Sequence, residues 1–351
     1  MAGSRLITIS KAELDPNPVQ AGKSYIVRVT LEKKAYWLDY PYDYAHDYAK
    51  GDESMSVKTV QAVINGQTYT LTKNTSTGKY EATITAPSKS SYTLSGHYYP
   101  VTVKATDDAG NVTTKDATDS TLGASLRLQV KEKVVPVITI TAPTASQYLA
   151  NSTPAIAWKI TDDDSGVNPS TIALKVDGTA VDTSKITKTA VTGGYTCSYT
   201  PTSALSDGAH TVVATASDYD GNAAAQKSVT FTVDTIPPTL SISAPAEGFI
   251  TNKSTVTVKG TTDDATSKPV TVTVNGAPIP VTPSGTFSND VTLKEGSNTI
   301  TIVAKDKAGK TTTVTRTVKL DTAPPVIKSA TITPNPVDCG KTFVISVEVT
   351  D

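Results

Sequence analysis

Apolar and polar residues alternate with a period of two along most of this chain, in short runs bounded by Gly, Pro, Asn and Asp. Thr299-Ile300-Thr301-Ile302-Val303-Ala304 and Thr311-Thr312-Thr313-Val314-Thr315-Arg316-Thr317-Val318 are typical. A period of two with β-branched residues predicts half-buried strands. Apolar spacing of the helical kind is nearly absent. The pattern therefore predicts an all-β protein of many short strands and frequent turns.

The runs are organised by an internal repeat. Four landmarks recur in the same order, three times. The first is a turn dipeptide behind an apolar residue: Ile64-Asn65-Gly66, Val176-Asp177-Gly178 and Val274-Asn275-Gly276. Asn-Gly and Asp-Gly tolerate positive φ at both positions, which predicts type I′ hairpins. The second is a glycine two residues before an aromatic, at Gly78-Lys79-Tyr80, Gly193-Gly194-Tyr195 and Gly285-Thr286-Phe287, where the ring is expected to enter the core. The third is a leucine ahead of a glycine turn, at Leu94-Ser95-Gly96, Leu205-Ser206-Asp207-Gly208 and Leu293-Lys294-Glu295-Gly296.

The fourth landmark is the clearest. Ala105-Thr106-Asp107-Asp108-Ala109-Gly110-Asn111 matches Ala216-Ser217-Asp218-Tyr219-Asp220-Gly221-Asn222, and Ala304-Lys305-Asp306-Lys307-Ala308-Gly309-Lys310 follows the same plan. Strand-like runs flank it, so it reads as the turn of the last hairpin of each unit. Its Asp is expected to accept backbone amides across the turn, and its Gly to take the left-handed position.

Proline stops separate the units. Asp234-Thr235-Ile236-Pro237-Pro238 and Asp321-Thr322-Ala323-Pro324-Pro325 are near copies, and Lys131-Glu132-Lys133-Val134-Val135-Pro136 is a looser joint. Paired prolines cannot donate to a sheet ladder and hold the chain extended. The expected organisation is a module over 1–132 with an aromatic-rich insertion at 35–55, modules over 133–235 and 236–322, and a partial repeat over 323–351. Units of this length match a Greek-key sandwich of about 100 residues. Set end to end, three would reach on the order of 100 Å.

No unit has the Cys–Trp–Cys pattern of antibody domains. The segment Asp162-Asp163-Asp164-Ser165-Gly166-Val167-Asn168-Pro169 and the Asp-Thr-x-Pro-Pro joints resemble those of bacterial Ig-like domains in secreted bacterial and phage proteins. The resemblance covers nearly the whole chain. It implies tandem immunoglobulin-like Greek-key β-sandwiches and says little about function, because sandwiches carry many.

The two ends also resemble each other. Leu14-Asp15-Pro16-Asn17-Pro18-Val19 aligns with Ile332-Thr333-Pro334-Asn335-Pro336-Val337, and Gly22-Lys23-Ser24-Tyr25 with Gly340-Lys341-Thr342-Phe343. A whole module follows the first copy, and about two strands complete the second. Two strands alone are marginal in water, and their edges invite pairing. Three readings stand: a cut or degenerate repeat, packing on the third module, or addition of residues 326–351 as strands to another structural subunit.

Composition narrows the function classes. Lys and Arg (32) balance Asp and Glu (33) over 351 residues, which offers no basis for nucleic-acid binding. Hydrophobic residues make up 38%, enough for several small cores but lean for one large one. No apolar run reaches the ~18 residues of a membrane span. The start, Met1-Ala2-Gly3-Ser4-Arg5, has no signal-peptide core. That points to excision from a larger protein, or to a chain that reaches the outside without a secretion signal. Cys197 and Cys339 fall in different expected modules, so no intradomain disulfide is expected. With only His46, His97 and His210 beside them, zinc is not expected either.

No nucleophile elbow, metalloprotease helix, phosphate loop or dinucleotide fingerprint occurs, so no catalytic residue is assigned. Calcium is the one ion the acids suggest. Asp162, Asp163 and Asp164 are consecutive, Asp218 and Asp220 share a turn of the same module, and calcium takes six to eight oxygens. The alternative is that these carboxylates cap turns. Five of the 15 tyrosines and one of the two tryptophans crowd the insertion: Tyr36, Trp37, Tyr40, Tyr42, Tyr44 and Tyr48. With Tyr98 and Tyr99 they form a candidate surface for a host or cell-surface glycan or protein, because such rings offer rigid area with a polar handle. The alternative is that they cover the module's own core. Three functions remain in view. The first is display on a phage virion, tail or capsid, in contact with the host surface. The second is a bacterial cell-surface adhesin or stalk. The third is the accessory region of an extracellular carbohydrate-active enzyme.

Overall fold

The alternation becomes strands. A computed structural model describes residues 5–35 and 56–351. Among the described residues there is no α-helix; three short 3-10 turns lie at Ser95–His97, Gly123–Leu126 and Thr183–Lys185. The chain divides into two compact units, one of residues 1–144, 155–199 and 211–229, the other of 145–154, 200–210 and 230–351.

The first unit begins with β1 (Arg5–Asp15), β2 (Val19–Gln20), β3 (Ser24–Ala35), β4 (Val57–Ile64), β5 (Gln67–Lys73) and β6 (Tyr80–Thr85). It continues with β7 (Tyr99–Asp107), β8 (Val112–Lys115), β9 (Arg127–Leu128) and β10 (Val130–Lys131). Eight of these make one sheet, ordered β1-β3-β6-β5-β4-β7-β8 with β9 on β7. β5 belongs to both halves of it: Leu71 faces Val60 of β4, and Thr72 faces Glu81 of β6. The halves share one core, with Ile9, Val27 and Val29 from one side and Val60, Ala62, Val101 and Val103 from the other. Each of these valine and isoleucine side chains taken out of water stabilises the fold by roughly 1.5–3 kcal/mol.

Next come β11 (Val137–Ala142), β12 (Tyr148–Leu149), β13 (Ile156–Thr161), β14 (Ala173–Val176) and β15 (Thr179–Ala180). β16 (Thr187–Val191), β17 (Gly194–Tyr199), β18 (Gly208–Thr215) and β19 (Lys227–Val233) follow. β11-β13-β17-β16 form an antiparallel sheet, and β14 pairs with β15 and β18. Ile156, Trp158 and Ile160 alternate inward along β13.

The second unit holds β20 (Thr239–Ala244), β21 (Phe249–Thr251), β22 (Thr255–Asp263) and β23 (Thr271–Val274). It also holds β24 (Ala277–Ile279), β25 (Thr286–Thr292), β26 (Gly296–Lys305) and β27 (Thr311–Leu320). Two sheets, β20-β22-β25 and β21-β27-β26-β23-β24, close on Val258, Val272, Ile300, Ile302 and Val318. One device appears three times: β2 runs parallel to β10, β12 to β19 and β21 to β27, so a short early strand locks onto the last strand of its region. The protein is thus all-β, with several Ig-like sandwich sheets in tandem.

The turn chemistry follows the sequence. Asn65-Gly66, Asp177-Gly178 and Asn275-Gly276 all have positive φ at both positions, as type I′ hairpins require. The glycine-aromatic landmark does not act uniformly. Phe287 is buried, whereas Tyr80 and Tyr195 stay half-buried. A phenol keeps its hydroxyl wet, and a phenyl ring has nothing to gain from water.

β28 (Val326–Thr333) and β29 (Val344–Thr350) form a hairpin of their own in the second unit. It reproduces the β1–β3 register. Asp15 faces Ile26 and Leu14 faces Val27; Thr333 faces Val344 and Ile332 faces Ile345. The same irregularity lies between Ile9 and Lys11 and between Ile327 and Ser329. The burial is opposite. Val27 and Val29 are fully buried, while their counterparts Ile345 and Val347 are 59% and 50% exposed.

Candidate functional site

Of the expected aromatic surface, Tyr36, Trp37, Tyr40, Tyr42, Tyr44 and Tyr48 lie outside the described residues. Tyr98 and Tyr99 are described, and neighbouring positions on an extended strand send them to opposite faces. Tyr98 is half-buried beside an open cleft with Leu94, Pro100, Thr102 and Asp116, and the Arg127 guanidinium sits 5.1 Å from its ring centre. Tyr99 corrects the sequence expectation. It is buried in the core of the first sandwich and donates its hydroxyl to the Lys89 carbonyl at 3.2 Å, so it presents nothing to a partner.

The five aspartates expected around a calcium ion also separate. Asp162 and Asp218 converge, and Glu132 joins them; carboxyl oxygens of the three lie within 4.8 Å of one another, and all three residues are buried. Asp163 is exposed. Asp164 accepts the Ser90 amide at 3.0 Å, and Asp220 accepts the Glu132 amide at 2.9 Å. These two carboxylates tie the second sheet system to the first and stand apart from the cluster, Asp164 turned to Ser90 and Asp220 to the Glu132 backbone.

The local sequence explains why the acids meet. Asp162 follows β13, whose end is pressed against β17: a Cβ on Gly194 would stand 2.0 Å from the Ile160 carbonyl oxygen. Asp162 accepts the amides of Asp164 (3.1 Å) and Gly166 (2.7 Å) through Oδ1. Asp218 accepts the Asn222 amide through Oδ1 and the Asn222 side chain through Oδ2 at 2.7 Å. Asn222 Nδ2 also donates to Glu132 Oε1 at 3.0 Å, as does Ser165 Oγ at 3.1 Å. Glu132 Oε2 takes the Val134 amide. Burial, with the Asp218 carboxyl alongside, pushes the Glu132 carboxyl up to about 7.

A second cluster, unforeseen in the sequence, repeats this plan in the second unit. Asp234, Asp264 and Asp306 are buried and bring carboxyl oxygens within 4.8 Å of one another. Asp234 follows β19, as Glu132 follows β10. Asp264 follows β22, as Asp162 follows β13, and accepts the amides of Thr266 and Ser267. Asp306 is the turn aspartate equivalent to Asp218 and accepts the Lys310 amide at 2.8 Å. A Cβ on Gly285 would stand 2.0 Å from the Thr262 carbonyl oxygen, which matches the squeeze at Gly194. The signal was present: Glu132 and Asp162 are as far apart along the chain as Asp234 and Asp264.

Comparison with known proteins agrees with this architecture. Residues 138–235 match a bacterial Ig-like domain family, and residues 193–278 match a bacterial Ig-like domain of group 3. Residues 238–322 match domain B of glucodextranase. These matches define the class: the chain carries tandem bacterial Ig-like domains. Among curated proteins it is 37% identical over 123 residues to Bacillopeptidase F of Bacillus subtilis (strain 168). That match spans 35% of this chain and 8% of the relative's length. An I-band fragment of titin aligns over 92% of this chain and 99% of its own, at 14% identity and a TM-score of 0.42. A tetra-tandem repeat from the extending region of a large adhesion protein aligns over 99% of this chain and 88% of its own, at 18% identity and a TM-score of 0.30.

Proposed function

We propose that this chain is a non-enzymatic extracellular segment that spaces and attaches, either in a bacterial cell-surface adhesin or stalk or as the accessory region of an extracellular enzyme. The observation that carries this reading is the unbroken run of bacterial Ig-like matches over 138–322, one of them to a domain of an enzyme. The partial match to Bacillopeptidase F supports the accessory role. The inward-turned acids of the two clusters fit a structural part better than a catalytic one.

In the finer form of this proposal, the segment 36–48 with Tyr98 contacts a cell-surface glycan or protein, and the 326–351 hairpin adds as strands to another structural subunit. The carrier can also be a phage virion. Immunogold labelling with antibodies to the 351-residue protein, on intact cells and on purified particles, tests this. Label on the cell envelope or on a secreted enzyme supports the proposal. Label on virions moves the carrier to the phage. Label confined to the cytoplasm overturns it.

A further inference from the structure

Buried carboxylates without a counter-charge are costly, because desolvation of an ion is repaid only by a close partner of opposite sign. None of Glu132, Asp162, Asp218, Asp234, Asp264 and Asp306 forms an ion pair with a lysine or arginine among the described residues. Three of their oxygens, Asp162 Oδ2, Asp234 Oδ2 and Asp306 Oδ2, are buried with no hydrogen-bond partner among the described residues. These residues are only 6%, 1% and 5% exposed. In each of the three, Oδ1 is held by backbone amides, which leaves Oδ2 as the unclaimed oxygen. The Asp-Thr-x-Pro-Pro joints supply an internal contrast. Asp321 stands where Asp234 stands, belongs to no three-acid cluster among the described residues, and pairs with Lys319 Nζ at 3.0 Å.

We propose that each cluster binds one calcium ion: Glu132, Asp162 and Asp218 hold one, and Asp234, Asp264 and Asp306 hold the other. Calcium–oxygen distances are about 2.3–2.6 Å, so oxygens bound to one ion lie no more than about 5 Å apart. The convergence within 4.8 Å meets that limit in both clusters. The donors are all hard oxygens, which excludes the soft-ligand metals. Carboxylates converging from three separate loops suit the flexible six- to eight-fold shell of calcium better than the strict octahedron of magnesium. The remaining positions go to water and backbone carbonyls. In each cluster the ion ties the strand leaving one sheet system, through Glu132 or Asp234, to the two loops that carry the other acids. Its role is to fasten those joints.

Isothermal titration calorimetry of the whole chain against calcium chloride, with thermal unfolding in parallel, tests the proposal. The expected result is two ions per chain with dissociation constants on the order of 10⁻⁴–10⁻³ M or tighter, and a melting temperature raised by calcium. Asp162→Asn with Asp218→Asn leaves one ion, and Asp234→Asn with Asp306→Asn leaves the other. All four substitutions leave none, and a melting temperature indifferent to calcium. The Asp234→Asn with Asp306→Asn pair keeps both Oδ1 acceptors, sheds charge and disturbs no hydrogen bond at Oδ2, so in EDTA it melts at or above the wild type, a result that a folding failure would not give; Asp218→Asn also gives up its Oδ2 acceptor for Asn222, so the first pair is read by ion stoichiometry alone. No binding heat and no melting shift at about 10 mM calcium overturns the proposal. So does a four-site variant that still binds two ions. A pair variant that leaves the stoichiometry at two overturns the assignment of its cluster.

Discussion

Tyr92 and Tyr219 stack ring on ring, with centroids 4.1 Å apart and planes 12° from parallel. Tyr219 sits inside the repeated Asp-x-x-Gly turn, and Tyr92 in the segment between β6 and β7, so the contact joins the first two sheet systems. His97 stacks on Tyr92 in turn, at 4.2 Å. Beside them Asp164 and Asp220 take backbone amides of Ser90 and Glu132 across the same joint. Tyr92→Ala and Tyr219→Ala are each expected to destabilise the first unit by about 1 kcal/mol. The double variant should cost less than the sum, by roughly 0.5–1.5 kcal/mol of coupling. Denaturant unfolding of the four proteins measures it; strictly additive losses would mean the rings do not support each other.

Gly194→Ala and Gly285→Ala should each cost on the order of 3 kcal/mol, because the new Cβ meets a carbonyl oxygen at 2.0 Å. Gly276→Ala has open space around its Cβ and suffers only from its positive φ. A melting series of the three variants, with the smallest drop for Gly276→Ala, is the expected order.

Deleting residues 326–351 should leave the melting temperature of the rest unchanged, because the hairpin is exposed on both faces. Its exposed Ile327, Val344, Ile345 and Val349 make self-association the property that responds. Sedimentation velocity should show less association after the deletion. An unchanged profile would remove strand addition through this segment.

Cys339 is exposed and Cys197 is buried, with burial pushing the Cys197 thiol up to about 11. A thiol reagent at pH 8 should therefore label one cysteine per native chain and two after denaturation. Mass spectrometry of the labelled peptides checks which one reacts first.

Lys11 and Lys79 clasp Glu13 at 2.6 and 2.8 Å and hold its carboxyl at about 2, against an opposing effect of burial. The folded form thus gives up this proton more readily than the unfolded chain, whose value is 4.5. The resulting stability is complete above about pH 4.5 and is lost as pH falls through 4.5 towards 2. For a partly solvated pair it amounts to roughly 0.5–1 kcal/mol. Glu13→Gln should melt below the wild type at pH 7 and coincide with it near pH 2; a constant difference would assign the loss to packing.

Much of the fold was legible in the residues. Asn65-Gly66 and its two counterparts announce their hairpins because positive φ is a local property of those residue types. The Asp107, Asp218 and Asp306 turns follow for the same reason: each aspartate takes the amide four residues on at 2.8 Å. The likeness of the two chain ends announced about two strands after the second copy, and the structure adds that β28–β29 shares the register of β1–β3. The candidate sites were only half legible. Asp162 and Asp218 stood out as acids in turns, but Asp163, Asp164 and Asp220 looked equivalent to them, and only the tertiary structure tells them apart: Asp164 takes Ser90, Asp220 takes the Glu132 amide, and Asp163 stays exposed.

The sequence by itself determined what depends on near neighbours along the chain: strand period, turn type, the repeat and the class of fold. Tertiary structure alone decided which acids share a space, that Tyr99 turns into the core while Tyr98 does not, and that Val27 is covered while Ile345 is bare. The reason is physical. Backbone preference and alternation act over a few residues, whereas burial and charge depend on what the rest of the chain places nearby. Glu132 and Asp218 meet only because two sheet systems bring them together.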